Sequence, residues 1–281
     1  MRFPLLFVHV LFLAIGVGLF LKAWPLLAEV PIGAILGSES WHPLRGDFGL
    51  YPFIMGTLAV TALAMAISIP VCLLSAVYLS EYAGTRIRES VRLAVDILAG
   101  IPSVIYGLCG ILVIVPLVRE LGEAIGIQTT GYSLLAGGII LAIMVAPFII
   151  ALTVEVFRTI PIEARESALA LGTTRWEMVH HVLLRHARRG VMAAVVLGFS
   201  RAFGETMAVL MVVGNVPQVP GSLFDPAYPL PALIANNYGE MMSIPLYDAA
   251  LMLAAFILLL VVSVFSLGAH FTLLRIGRFG V

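Results

Sequence analysis

Residues 163–190 read EARESALALGTTRWEMVHHVLLRHARRG. They hold eight of the chain's 32 charged side chains (16 basic, 16 acidic) and three of its six histidines. Long apolar runs flank the stretch on both sides. Pro161 suits the opening of a helix, and Glu163 and Glu166 complement its positive N-terminal end. Ala164, Ala168 and Leu171 recur at i, i+4 and i+7, which gives the helix a small apolar face. Gly172 ends it, as glycine does where a left-handed residue is needed. Thr174 and Glu177 have the spacing of a capping box and start a second helix. On that helix Trp176, Val179 and Leu183 share one side, with His181, Arg185, Arg188 and Arg189 on the other.

The rest of the chain shows why such a polar pair stands out. Of 281 residues, 61% are hydrophobic and 11% charged, and mean hydropathy is +1.07. A soluble domain carries about 25% charged residues, so this chain has too little polar material to cover a water-facing surface. Its solvent is lipid. Formal net charge is zero, so global charge points to no nucleic-acid or acidic partner. Cys72 and Cys109 lie in apolar runs and read as small buried hydrophobes.

A bilayer core of about 30 Å takes about 20 apolar residues per helix. Six segments qualify: 4–24, 52–79, 92–117, 132–157, 190–214 and 247–274. Residues 4–21 also fit a signal peptide, but no A-x-A site follows Lys22, so an uncleaved first span is expected. With both termini in the cytoplasm, twelve basic residues fall inside (Arg2, Arg86, Arg88, Arg92, Arg158, Arg165, Arg175, Arg185, Arg188, Arg189, Arg275, Arg278) and three outside (Lys22, Arg45, Arg119). This bias places 158–190 in the cytoplasm of a multi-pass cell-membrane protein. The proline-rich loop 215–246, without Lys or Arg, is expected to form an irregular extracytoplasmic cap. The fold class is all-α, a polytopic membrane protein of about six helices. Residues 1–51 form an N-terminal span and external segment; 52–281 form the main transmembrane domain, with cytoplasmic helices at about 161–189.

Two readings of the opening stretch stand side by side. It is either an interfacial linker with a basic solvated face, or a helix whose compact face docks in a groove of a soluble partner. Glu166-Ser167-Ala168 and Gly172, followed by Val182 and Leu184, resemble the EAA loop of ABC importer permeases. The resemblance implies a coupling helix seated on an ATPase, with Ala164, Glu166, Ala168, Leu171 and Gly172 as its contact residues. The family's usual Leu-Pro ending is replaced here by Leu184-Arg185.

Several chemistries are excluded. The single lysine, Lys22, lies between Leu21 and Ala23, so the chain has no G-x-x-x-x-G-K-[ST] loop and any ATPase is another chain. There is no H-E-x-x-H. Gly198-Phe199-Ser200-Arg201-Ala202 misses the final glycine of a nucleophile elbow. The chain is therefore expected to be no enzyme and to bind no cofactor or metal.

Within the fifth span, GFSRAFGETM (198–207) carries two charges. Arg201 and Glu205 are four apart, which puts them on one face of a continuous helix. Each charge at mid-bilayer costs about 2.5–3.5 kcal/mol. The pair either pins two helices or meets an anion in transit, where the planar guanidinium donates two parallel hydrogen bonds. In the third span, Gly100-Ile101-Pro102-Ser103 with Tyr106-Gly107 predicts a broken helix. The break either improves packing or offers the hydroxyls of Ser103 and Tyr106 to the path.

Taken together, Phe48–Pro52, Gly56-Thr57, Tyr78–Tyr82, Gly100–Ser103 with Tyr106-Gly107, and Arg201-Ala202 with Gly204–Met207 resemble the phosphate-specific ABC permeases. The continuation Gly214–Pro217 is closer to their PstC-type than their PstA-type subunit. The resemblance implies the type I (MetI-like) importer fold. It further implies a heterodimer with a PstA-type permease, a PstB-type ATPase dimer that binds ATP and Mg, and an extracytoplasmic PstS-type phosphate-binding protein. Arg201, Glu205 and Thr206 are then expected to serve translocation. A sulfate or molybdate importer, and an ion-coupled secondary transporter using Arg201 and Glu205, remain as alternatives.

Overall fold

The structure is a computed structural model that describes residues 2–240, 244 and 246–278, with side chains for 6–240, 244 and 246–268. The side chains of Arg2, Arg275 and Arg278, counted in the charge bias, lie outside the described residues, as do residues 241–243 and 245 of the external loop. Helices run in the order α1 (Arg2–Glu29), α2 (Ile32–Gly37), α3 (Tyr51–Val77), α4 (Thr85–Gly100), α5 (Ser103–Cys109), α6 (Val115–Ala124), α7 (Leu134–Arg158), α8 (Ile162–Ala170), α9 (Arg175–Met178), α10 (Leu184–Phe203), α11 (Met207–Leu210), α12 (Leu230–Asn237) and α13 (Tyr247–Arg278). Turns of π-helix at Tyr78–Tyr82, Gly110–Ile114 and Val179–Leu183 extend α3, join α5 to α6, and join α9 to α10.

Among the described residues, five helical segments are long and apolar enough to cross a membrane: Leu6–Glu29, Tyr51–Tyr82, Ser103–Ala124, Leu134–Arg158 and Tyr247–Gly268. The third expected span is displaced. Its helix breaks at Ile101-Pro102, so α4 becomes a separate amphipathic helix and the span runs on to Ala124. Proline's missing N–H and its ring forbid the continuous helix. The fifth is shorter than the expected 190–214. α10 ends at Phe203 with Gly204 as its cap, and its apolar part, 190–203, is about 20 Å long at 1.5 Å per residue. The described residues of 215–246 are irregular apart from α12.

The chain divides into two compact units. The first comprises Met1–Val60, Gly107–Gly137 and Glu205–Ser263. Its two-residue strands β1 (Trp41–His42) and β2 (Asp47–Phe48) pair antiparallel, Trp41 opposite Phe48. Leu26, Ile35, Leu50, Phe53, Leu230 and Leu251 form its core, and the Trp41 ring meets Phe53 edge-on at 5.0 Å. Thr57, buried there, donates to Phe53 O at 2.7 Å and accepts from Leu230 N at 2.8 Å. A hydroxyl with both partners supplied is tolerated in such a core.

The second unit comprises Thr61–Tyr106, Gly138–Gly204 and Val264–Val281. Close helix approach is set by small residues: a Cβ on Gly190 would stand 2.4 Å from Val156, and one on Gly198 2.7 Å from Ile149. This is how helices associate where lipid removes the hydrophobic drive between them. Ser68 Oγ adds a hydrogen bond to Ala142 O at 2.9 Å. At one end of this unit Ala76, Val77, Phe157, Ala168, Val179, Leu183 and Ala187 form a second core.

Gly131 has φ +88°, and a Cβ there would lie 2.2 Å from Val115 O; Gly126 has φ +80° with open space around it. Gly126→Ala should therefore carry only the left-handed backbone strain, about 1–2 kcal/mol. Gly131→Ala adds a backbone clash and should lower the midpoint of thermal unfolding in detergent well beyond Gly126→Ala. Equal midpoints for the two variants would refute that ordering.

Candidate translocation and coupling site

The turn between α8 and α9 has the expected local structure. Gly172 is left-handed at φ +86°. The capping box is complete: Glu177 N donates to Thr174 Oγ1 at 3.3 Å, while Thr174 N and Oγ1 donate to Glu177 Oε2 at 2.7 and 2.8 Å. The backbone N–H of Thr174, then its hydroxyl, hold the exposed Glu177 carboxyl below its ordinary value. The cap's contribution is thus present above the usual glutamate range and is lost as pH falls through the lowered value.

The apolar face of α8 is split. Ala168 is buried in the unit's own core, and Ala164 is half-buried, whereas Leu171 is 86% exposed. Leu171 sits at the C-cap, past the last helical turn, so the i, i+7 relation no longer holds. Trp176 likewise departs from Val179 and Leu183; they are buried and it is exposed. The outward surface is made instead by Ile162, Leu169, Leu171 and Trp176, with Glu166 exposed beside them.

A contact that no sequence spacing signals fixes α8 in place. Arg165 Nη1 lies 3.2 Å from Glu81 Oε1, with the two side chains 19% and 7% exposed. Arg165 also donates to Phe157 O at the end of α7, and Ser80 Oγ donates to Glu81 Oε1 at 2.7 Å. Arg88 on α4 braces the same π-turn, donating to Leu79 O and Ser80 O at 2.9 Å each. The one available signal was a lone carboxylate just past the charge-free segment 52–79, which needs a buried partner or water.

Arg201 and Glu205 do not share a helix. Arg201 is in the last turn of α10, and the helix ends at Phe203. Glu205 and Thr206 lie between α10 and α11, in the other unit. Gly204 ends the i, i+4 register. The exposed Arg201 guanidinium sits 5.3 Å above the ring of Phe148 on α7. It has no ion-pair partner among the described residues of its own unit. A cation over a ring is steadied without being neutralised, and Phe148 is a further residue that spacing alone did not reveal. Glu205 accepts from Ala208 N at 3.3 Å and so helps begin α11, with Thr206 as N-cap residue.

The third-span break is spliced. Tyr106, buried on α5, donates its hydroxyl to Leu98 O near the end of α4 at 2.7 Å. It adds a second donor to a carbonyl that Ile101 N already reaches at 3.3 Å and that Pro102, lacking an N–H, cannot serve. This hydrogen bond splints the break between α4 and α5. Ser103, half-buried, opens α5.

In the first unit an open cleft of about 660 Å³ is lined by Gln128, Thr130, Tyr132, Asn215 and Asp225 among others. Gly214 and Asn215 are both left-handed, at φ +96° and +53°, the conformation that glycine and asparagine tolerate best. Asn215 Nδ2 donates to Leu210 O at 2.8 Å, which locks the turn.

Residues 68–273 match the family described as binding-protein-dependent transport system inner membrane component, and the chain belongs to that family. Its relatives include the phosphate transport system permease protein PstC of Xylella fastidiosa, 38% identical over 86% of this chain and 78% of that protein. The PstC of Mesorhizobium japonicum is 35% identical over 98% of this chain and 88% of its own length. Among solved structures, the MetNI methionine ABC transporter in an inward-facing conformation superposes with a TM-score of 0.64 at 21% identity, covering 81% of this chain and 95% of that one. A bacterial alginate ABC transporter in complex with its pentasaccharide-bound periplasmic protein gives 0.61 at 19%, covering 100% and 97%. These establish the MetI-like importer fold.

Removing one partner of a buried ion pair costs about 3–5 kcal/mol, since the other charge is left uncompensated. Glu81→Gln and Arg165→Gln should each lower the thermal midpoint and the yield of assembled complex. The reversal Glu81→Arg with Arg165→Glu should recover part of both. No recovery in the reversed double variant, measured by co-purification of the partner subunits, would count against the pair as the anchor.

Proposed function

We propose that this chain is the PstC-type permease of an ATP-driven phosphate importer, forming half of the translocation pathway beside a PstA-type permease. ATP and Mg belong to a PstB-type ATPase dimer, and a PstS-type protein delivers phosphate from outside. The chain itself does no covalent chemistry. Both termini and α8–α9 face the cytoplasm, as the twelve-to-three distribution of basic residues supports. The carrying observation is Arg201: an exposed guanidinium, steadied by Phe148 and unpaired within its unit, at the end of a helix that starts at the docking turn.

The mechanism follows from that connection. ATPase closure moves α8. The core around Ala168, Val179, Leu183 and Ala187 passes the movement to α10, some 30 Å long at 1.5 Å per residue. Arg201 at its far end then changes its access between the two sides of the membrane. Its planar fork suits two oxygens of phosphate. Glu205, Thr206 and Ser103 complete the polar path in this reading, with Glu205 favouring release.

Arg201→Ala should assemble with its partners yet lose at least about 100-fold in ATP-dependent phosphate uptake by proteoliposomes, the loss of two charge-assisted hydrogen bonds. Wild-type uptake in that variant would remove Arg201 from the path. Uptake insensitive to excess sulfate identifies phosphate as cargo; competition by sulfate or molybdate would make the chain a permease of another oxyanion.

Gly172→Val meets open space but a forbidden backbone, so it should distort the turn while leaving both cores intact. ATP hydrolysed per phosphate should rise, or the ATPase should dissociate. Unchanged coupling and retention would show that this turn is not the docking element.

A further inference from the structure

In the second unit, a cavity of about 260 Å³ opens between α4 and the end of α7, and neither residues 162–178 nor Arg201 line it. Three arginines line it: Arg88 and Arg92, one turn apart on α4, and Arg158, the last residue of α7. Two carboxylates, Asp96 and Glu155, line it as well. Its walls are otherwise apolar, with Val95 and Ile150 among them.

The charged groups differ in how far they are already committed. Arg88 is spent on the carbonyls of Leu79, Ser80 and Ala83. Arg92 and Asp96 make no hydrogen bond or ion pair among the described residues of this unit. Arg158 reaches Glu155 only at 3.5 Å, and both side chains are substantially exposed. The cavity therefore offers one uncommitted guanidinium, Arg92, and one uncommitted carboxylate, Asp96, beside the long and exposed Arg158–Glu155 pair, over an apolar floor. Next to this charged stripe, α4 exposes Leu93 (63%) and Ile97 (59%) one helical turn apart, with nothing of the unit against them.

We propose that this cavity is a binding site for phosphatidylethanolamine. Arg92 and Arg158 take the phosphodiester, Asp96 and Glu155 take the ammonium, and an acyl chain runs along Leu93 and Ile97. Each feature selects against other ligands. A free phosphate dianion would have to desolvate against apolar walls and face two carboxylates. A purely anionic headgroup meets two carboxylates and brings no cation to offset them. A choline headgroup has no N–H to donate to them. Basic pockets at the membrane surface are a general means of holding lipid phosphate, and the acids here add a requirement for a donor amine.

The test uses the whole transporter, delipidated in detergent and titrated with single lipids, with occupancy read by native mass spectrometry. Phosphatidylethanolamine should be retained on the wild type in preference to phosphatidylglycerol and phosphatidylcholine. Its occupancy should fall about tenfold in Arg92→Gln/Arg158→Gln, the loss of one or more charge-assisted hydrogen bonds. Asp96→Asn should shift the preference toward phosphatidylglycerol, a change in selectivity that a merely structural role would not produce. It also reads the site if the double variant fails to assemble. Equal retention of the three lipids, unaltered selectivity in Asp96→Asn, or displacement of lipid by inorganic phosphate alone would each overturn the assignment. None of these outcomes depends on what the transporter carries.

Discussion

A guanidinium and a carboxylate 3.2 Å apart, both largely shut away from water, hold α8 and the ends of α3 and α7 together. Burying two charges is expensive, and the attraction between them repays that cost only if the remaining donors and acceptors are satisfied. Here Ser80 and the Phe157 carbonyl do part of this, Arg165 Nε stays without a partner among the described residues, and Arg88 clamps the backbone of the same turn. The result ties the short helix α8 to the ends of two long helices, α3 and α7. Without that tie, α8 would be a nine-residue helix held by little more than Ala168, far below the length at which a helix is stable alone. The apolar core beneath it depends on the same anchor, since α8 covers one side of that core.

The two units meet different physical demands. The first is held by aromatic rings and by a buried threonine with both partners filled, and its turns rely on left-handed Gly214 and Asn215. The second is held by small residues that let helices approach closely and by the buried ion pair. Arg201 belongs to the second unit and Glu205 to the first, so the two charges that look like one motif in the sequence answer to different packing environments.

Most of the helices were legible from the sequence because lipid demands long apolar runs, and a water-facing fold has little use for runs of that length. The capping box and the left-handed glycine were legible because both are local: three residues and one torsion decide them. What was not legible is instructive. Pro102 signals an interruption, but not that α4 becomes a separate amphipathic helix. The i, i+4 relation of Arg201 and Glu205 assumes a helix that Gly204 stops, and a glycine in an apolar run does not by itself announce a stop. Leu171 matched a helical period just where the helix runs out. Glu81 and Arg165 meet only through the tertiary fold, and neither has a neighbour in sequence that betrays the other. Phe148 was hidden for the same reason, as one aromatic among many.

α10 carries Arg185, Arg188 and Arg189 at its start and Arg201 near its end, with an apolar stretch too short to cross a bilayer unaided. Its place in the membrane is therefore not encoded in its own hydrophobicity. Gly190 and Gly198 let it settle against Val156 and Ile149 of α7, and that contact supplies what its composition lacks. α7, long and apolar enough to cross a membrane by its own composition, is thus the surface against which α10 is held, and the setting of Arg201 rests on a neighbour's hydrophobicity and not on that of its own helix.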